Sequence, residues 1–156
     1  MFQYSEMSKA EALSLAKDEI KRADHLMFVS LKYTRTVDVI KSLIDRMINA
    51  LDMCMIAVAE HLKEKGKIDS VPKTPGLRIE MLRKKKKNDE LTELIDFYLL
   101  LKKINKAEFT RYKEFRRRVK MIIQLDGEEM DIDLDLVQEY YAKTKEFIPF
   151  IEELVH

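Results

Sequence analysis

The stretch VKMIIQLDGEEMDIDL, residues 119–134, differs from the rest of the chain because its apolar and polar residues alternate. Asp126-Gly127 is a dipeptide that favours the centre of a type I′ turn, and this placement fixes the register of two antiparallel strands. The predicted pairs are Leu125 with Glu128, Ile123 with Met130, Met121 with Ile132, Val119 with Leu134, Lys120 with Asp133, Ile122 with Asp131 and Gln124 with Glu129. We therefore predict a β-hairpin formed by about residues 119–125 and 128–134.

A two-stranded ribbon is marginally stable in water, so the apolar face of this hairpin must rest on other residues. It can cover the end of a helical bundle. Its edges also expose unpaired backbone groups, which recruit another chain unless they are blocked. We therefore expect a homodimer in which two hairpins join as a four-stranded sheet. The residues predicted for self-association are Val119, Met121, Ile123, Met130 and Ile132.

The residues before the hairpin carry apolar side chains at the three- and four-residue spacing of amphipathic helices. Ser8 and Glu11 form the signature of a capping box at the start of the first helix. A turn is expected in KYTRT, residues 32–36, where Thr36 can cap the second helix. Because neither Gly nor Pro enforces a break there, one unbroken helix in an extended dimer is the alternative.

The middle of the chain contains its strongest turn signals, in KGKIDSVPKTPGLR, residues 65–78, which we interpret as one long loop. Thr74, followed by Pro75, is predicted to cap a short helix. Either Asn88 or Asp89 then caps a fourth helix. A fifth helix, or a continuation of the fourth, is predicted from the spacing of Phe109, Tyr112, Phe115 and Val119.

The last helix is predicted to begin with Asp135 as its cap, to complete a capping box through Gln138, and to bend or end at Pro149. The sequence as a whole therefore predicts a mainly α protein. We expect an up-and-down bundle of five or six helices with one β-hairpin, folded as a single domain over residues 1–156.

Several classes of protein and site are disfavoured by composition. The single cysteine, Cys54, forbids an internal disulfide, and no uncharged apolar run approaches the roughly 20 residues of a membrane span. Structural zinc needs four Cys or His ligands, and a chain with one Cys and three His lacks the required spacing. We therefore expect a cytoplasmic protein without metal, cofactor or membrane partner. Its few Asn and Gln suit a heat-adapted source.

Charge is segregated along the chain although the net charge is only +1. Residues 78–120 contain 15 Lys and Arg against 7 Asp and Glu, a net charge of +8, whereas residues 121–156 contain 2 and 10, a net charge of −8. We expect the acidic segment to fold across the basic one or to pair with it between subunits. The alternative is that both are surfaces for partners, the basic one for RNA or another polyanion.

Two groups of cations are candidates for nucleic-acid binding. The first is the run RKKKK, residues 83–87. The second is a row of cations on one side of the predicted helix before the hairpin, and the aromatic residues of that helix are expected on its other side, facing the core. The candidate residues are Arg83, Lys84, Lys85, Lys86, Lys87, Lys106, Lys113 and Arg117. Because base stacking requires aromatic rings beside the cations, this arrangement predicts phosphate attraction without stacking.

The order of two long helices, a loop, shorter helices and the segment YKEFRRRVKMI, residues 112–122, resembles small prokaryotic helical proteins of the HEPN group. The resemblance covers most of the chain at the level of helix order and implies RNA binding or cleavage and dimer formation. The catalytic signature of that group is an Arg followed four to six residues later by His. Arg116, Arg117 and Arg118 have no such His, so no catalytic residue is predicted.

We therefore expect a non-catalytic helical interaction module that associates with itself. The alternative is a HEPN-like RNA-binding or RNA-processing protein that uses the basic segment 78–120, and a small-molecule enzyme is the third candidate. The charge layout separates the first two. Phosphate binding is suppressed if the acidic segment covers the basic one, and it is favoured if the basic side chains are free.

Overall fold

The computed structural model of the chain describes residues 7–156. Its first element is a helical segment. Helix α1 spans Lys9–His25, continues through a π-helical turn at Leu26–Ser30, and ends in a short helix α2 at Leu31–Tyr33. The predicted capping box is confirmed, because Ser8 and Glu11 bond each other's backbone at the start of α1. The predicted break is also confirmed. The side chain of Thr36 accepts from the amide of Val39 and caps the next helix.

Helix α3, Val37–Glu64, is the central element of the fold. It contacts α1 along its length, and it also contacts the helices that follow. Its middle part, residues 50–59, is buried on all sides, which explains why that segment is so rich in small and apolar residues. Cys54 lies there, and burial raises the pKa of its thiol to about 12. A thiolate is therefore strongly disfavoured at neutral pH.

Two helices follow the long loop. Helix α4 spans Pro75–Lys85 and is capped by Thr74, as predicted, with a proline at its first position. Helix α5 spans Asp89–Lys106, and of the two predicted caps Asn88 is the one used, since its side chain accepts from the amide of Leu91. Both helices contribute buried residues to the same core as α3.

The hairpin is confirmed with the predicted register from Leu125–Glu128 to Lys120–Asp133. Its strands are β2, Lys120–Leu125, and β3, Glu128–Asp133. A third strand, β1 at Phe109–Tyr112, pairs antiparallel with the other edge of β2, so the sheet order is β1-β2-β3. The predicted fifth helix is therefore wrong. The aromatic spacing fitted a helix, but pairing with β2 satisfies the backbone groups that a bare ribbon would expose.

The ends of the hairpin differ from the prediction. The predicted pair of Val119 with Leu134 does not form, because β2 begins at Lys120 and Leu134 is already the first residue of helix α6, Leu134–Leu154. Asp133, not Asp135, caps that helix, and its carboxylate accepts from the amide of Leu136 at 2.9 Å. Helix α6 also continues through Pro149, so that proline does not end it.

The apolar face of the sheet is covered by the protein's own helices. Strand β2 contacts α3 and α5, and strand β3 contacts α6. Of the residues predicted for self-association, Val119, Met121, Ile123 and Ile132 are fully buried in this core, and Met130 is partly buried against it. The free edge of β3 carries four carboxylates, at Glu128, Glu129, Asp131 and Asp133, and like charges of this kind disfavour edge-to-edge pairing of two copies.

Replacing Gly127 with Ala is expected to lower the free energy of unfolding by about 1–2 kcal/mol, because Gly127 has φ of +81° and left-handed backbone is costly for a residue with a Cβ. No atom lies within 4 Å of the added methyl group, so the cost comes from the backbone alone. Urea unfolding followed by circular dichroism measures it.

The matched control for Gly127→Ala is Gly76→Ala, which adds the same methyl group to the first turn of α4, also without a neighbour within 4 Å. There φ is not positive, so we expect a stabilisation of about 0.4–1 kcal/mol. Equal effects at the two positions would contradict the type I′ turn at Asp126-Gly127.

Candidate nucleic-acid interface

The loop between β1 and β2, residues 113–119, has an unusual backbone conformation. Lys113 has φ of +49° and Phe115 has φ of +66°, and both are non-glycine residues in the left-handed region. Such conformations cost on the order of 1–3 kcal/mol each, so the surrounding structure must hold them in place.

Two hydrogen bonds fix this loop against the start of α3. The amide of Phe115 donates to the carbonyl oxygen of Arg35 at 2.6 Å, and Oε2 of Glu114 accepts from the amide of Val37 at 3.0 Å. Val37 is the first residue of α3, so the Glu114 carboxylate lies at the positive end of that helix, where negative charge is favoured. These contacts hold the tip of the loop in one conformation.

Arg111 adds a third connection between strand β1 and α3. Its guanidinium donates to Oδ1 of Asp38 at 3.0 Å and to Oε2 of Glu114 at 3.2 Å. The hydrogen bond to Asp38, followed by the one to Glu114, raises the pKa of Arg111. Arg111 thus holds the loop against α3. Because its charge is already paired, it is not counted among the free cations.

Four other cations of the loop have no acidic partner. Lys113, Arg116, Arg117 and Arg118 are all exposed, and none lies within 4 Å of a carboxylate oxygen in the described part of the chain. Four unpaired positive charges within six residues create a local field that attracts phosphate groups. Of these residues, the sequence pattern had selected Lys113 and Arg117.

Two aromatic rings lie beside these cations, Phe115 on the loop and Tyr112 at the end of strand β1. Phe115 is 71 % exposed and Tyr112 is 41 % exposed. The ammonium groups of Lys113 and Lys120 lie 5.3 Å and 4.9 Å from the centre of the Tyr112 ring. The prediction that these aromatic side chains face the core, away from the cations, is therefore wrong, because it assumed a helix where the chain forms a strand and a loop.

A depression beside this surface carries charges of both signs. It has a volume of about 380 Å³ and lies between the loop and the start of α6, where Asp133 and Asp135 line it together with Lys113, Arg117, Arg118 and Lys120. Lys120 is paired with Asp131 at 2.6 Å and contributes little free charge. A bound polyanion is therefore expected to run over the tip of the loop, at Phe115 and the arginines, and not along β3.

The remaining predicted cations lie elsewhere. The pKa of the His61 imidazole is lowered, first by burial, then by Lys9 and Lys65, and to a smaller extent by Lys86. Because His61 is near the C-terminal end of α3, the run 83–87 lies near that end of the helix. The 113–119 loop lies at the N-terminal end of this 28-residue helix, about 42 Å away. Arg83 is paired with Asp96 and Lys84 with Glu80, whereas Lys85, Lys86 and Lys87 have no ion pair among residues 7–156. The structure thus splits the predicted nucleic-acid residues into separate groups, and Lys106 belongs to a cleft described below.

The acidic segment forms few ion pairs with the basic one. Within residues 7–156, two ion pairs join a cation of residues 78–120 to a carboxylate of residues 121–156. They are Lys103 with Asp126 at 3.8 Å and Lys120 with Asp131 at 2.6 Å. The cations of the 113–118 stretch are therefore free to contact another molecule.

No family model, curated protein or solved structure matches this chain. The resemblance to the HEPN group stays a prediction. Within residues 7–156, none of the helices combines the length and the apolar character that crossing a bilayer requires. The same residues contain no group of three His, Cys, Asp or Glu side chains arranged to hold a metal ion.

Proposed function

We propose that the 113–119 loop, together with Tyr112, binds single-stranded nucleic acid without cleaving it. In this proposal Phe115 and Tyr112 stack against bases, and Lys113, Arg116, Arg117 and Arg118 contact the phosphates. The observation that carries the proposal is the position of Phe115, a 71 % exposed ring among unpaired arginines on a loop held to the end of α3.

Stacking and charge are the two contributions on which sequence-tolerant single-strand binding relies. A base stacked on an aromatic ring contributes about 1–3 kcal/mol, and every base has a face to stack. A duplex hides those faces, so exposed rings favour single strands. The unpaired cations add a salt-dependent attraction to the backbone that carries no sequence information.

The bonds that hold the loop support the proposal in a second way. A loop that is disordered when free must lose conformational freedom on binding, which weakens the net affinity. The bonds of Phe115 to Arg35 and of Glu114 to Val37 already fix this loop in the free protein. The cost of the left-handed conformation at Phe115 is met on folding, so it does not oppose binding.

The first test is the variant Phe115→Ala, measured by fluorescence anisotropy with a labelled 12-nucleotide RNA. We expect the affinity for the single strand to fall about 5- to 150-fold, the equivalent of 1–3 kcal/mol, because one stacking platform is lost. Affinity for a duplex of the same sequence is expected to change little. RNA is the first probe because of the resemblance to the HEPN group, and the DNA strand of the same sequence is the second arm.

The matched control is Leu77→Ala, which truncates another exposed apolar side chain, one that lies on α4 and outside the loop. It is expected to bind the single strand as the unmodified protein does. Phe115→Ala keeps a Cβ at the left-handed position, so both variants should unfold at similar urea concentrations. An unchanged single-strand affinity, or equal losses for single strand and duplex, would contradict stacking by Phe115.

A further inference from the structure

A cleft of about 690 Å³ lies between α3, the start of α4 and the end of α5. Five cationic residues line it, against two carboxylates, Asp45 and Asp52. The cations are Arg46, Lys73, Arg78, Lys102 and Lys106. The sequence pattern had selected only Lys106, because the other four come from separate elements that the fold brings together.

Both carboxylates of this cleft already have hydrogen-bond partners within the protein. Asp45 accepts a hydrogen bond from the side-chain amide of Asn105 at 2.6 Å, and Asp52 accepts one from Arg78 at 3.1 Å. Among the cations, Arg46 is paired with the buried Glu19 at 3.3 Å. Three lysines, Lys73, Lys102 and Lys106, have no ion pair with any residue of the described chain. The cleft therefore has an excess of positive charge.

Arg78 is the most deeply buried residue of the lining, with 2 % of its surface exposed. It donates to Asp52 and to the carbonyl oxygen of Pro72, but its Nε–H has no hydrogen-bond partner among residues 7–156. Buried donors without partners are costly, and they are rare outside sites that bind a ligand or water.

The N-terminus of α4 lies at the edge of the same cleft. Lys73, the cap residue Thr74 and Pro75 all line it, and α4 has 11 residues. The start of a helix carries a partial positive charge and favours anions. The N-terminus of α4, the free lysines and the buried guanidinium of Arg78 therefore all attract an anion into the cleft.

We propose that this cleft binds the phosphate group of a nucleotide-sized molecule. Its volume falls within the range of small-molecule sites, roughly 300–1,000 Å³. Lys73, on the loop before α4, and Lys102, on α5, contact the phosphate, and the buried Arg78 adds to the positive potential of the cleft. This site is separate from the 113–119 loop and does not depend on the function proposed for it.

A phosphate of this kind has two sources, a free nucleotide or the 5′-phosphate end of a nucleic-acid strand. Isothermal titration calorimetry with adenosine 5′-monophosphate and with adenosine tests the first. Titration with a 5′-phosphorylated and a 5′-hydroxyl dinucleotide tests the second, because a dinucleotide is too short to reach the loop as well. In each arm the phosphorylated molecule is expected to bind at least about tenfold more tightly than its partner.

The test variant is Lys73→Gln with Lys102→Gln, and it is expected to lower the affinity for the phosphorylated molecule about tenfold or more, with little effect on the unphosphorylated one. The control is Lys85→Gln with Lys87→Gln, which removes the same charge from exposed positions outside the cleft. Both variants should unfold as the unmodified protein does, because exposed or partly exposed lysines are changed. The proposal is overturned if no phosphorylated probe binds better than its partner, or if both variants weaken binding equally.

Discussion

Replacing Arg116, Arg117 and Arg118 with Gln is expected to weaken binding of single-stranded RNA about 500-fold at 50 mM salt and about 30-fold at 200 mM salt. Each cation that neutralises a phosphate of a single strand contributes about 0.7 to the slope of log affinity against log salt concentration, so three lost cations lower that slope by about 2. All three arginines are exposed and unpaired, and the fold should therefore tolerate their loss. Fluorescence anisotropy over a salt series measures both quantities.

The matched control for the arginine variant is Lys85→Gln with Lys86→Gln and Lys87→Gln. It also removes three positive charges, but from a segment near the other end of α3. The sequence pattern predicts nucleic-acid contacts for that segment as well. We expect a loss of affinity less than about fivefold, as long-range attraction alone would give. If the lysine variant loses as much affinity and slope as the arginine variant, the net charge and not the loop governs binding.

Replacing Arg78 with Met is expected to lower the free energy of unfolding at pH 7 by about 3–5 kcal/mol, because it leaves the charge of Asp52 buried and uncompensated. Asp52 is 7 % exposed, and Arg78 is its ion-pair partner at 3.1 Å. The double variant Arg78→Met with Asp52→Leu removes both charges and is expected to recover most of the loss. Urea unfolding of the two variants and the unmodified protein measures the difference.

The pH dependence of the Arg78→Met variant follows from the pKa of Asp52. Burial raises this pKa above its ordinary value of 3.8, while Arg78 acts in the opposite direction, so removing Arg78 raises the pKa further. A carboxyl whose pKa is higher in the folded than in the unfolded chain destabilises the fold as the pH rises above 3.8. The difference in unfolding free energy between variant and unmodified protein should therefore be smaller at pH 4 than at pH 7. A difference that does not change with pH would contradict a buried Asp52 charge as its cause.

The elements that the sequence predicted well are those with local signals. The Asp126-Gly127 turn and the alternation around it define the register of β2 and β3, because a two-residue turn leaves no freedom in the pairing. The break before α3 and the caps Ser8, Thr36 and Thr74 were likewise predictable, since each is a short-range bond between a side chain and the next turn of backbone.

Strand β1 had no local signal that distinguished it from a helix. Its aromatic residues and those of the loop recur every three residues, and its conformation depends on the edge of β2, which lies later in the chain. Pairing with a distant strand overrides local preference, and spacing alone does not reveal it. The error extended into the site, because Tyr112 and Phe115 were assigned to the core on the basis of the predicted helix.

The sequence alone reveals the cations of the 113–119 loop, but it does not reveal whether they are free of ion pairs and able to contact a ligand. Whether Arg116, Arg117 and Arg118 are free depends on where the carboxylates of residues 121–156 lie, and that depends on the tertiary fold. The cleft of Lys73, Arg78 and Lys102 was beyond sequence patterns for the same reason. Its members come from a loop and two helices, and none of them belongs to a recognisable motif.

The contact of the 113–119 loop with a nucleic acid can be tested most directly by cross-linking. A 12-nucleotide RNA containing 4-thiouridine is irradiated with the unmodified protein, and the modified residues are located by mass spectrometry. We predict adducts on Phe115 or Tyr112 that disappear when unlabelled single strand competes. Adducts confined to residues 83–87, or the absence of any adduct between residues 109 and 120 under conditions where the RNA is bound, would contradict the proposed interface.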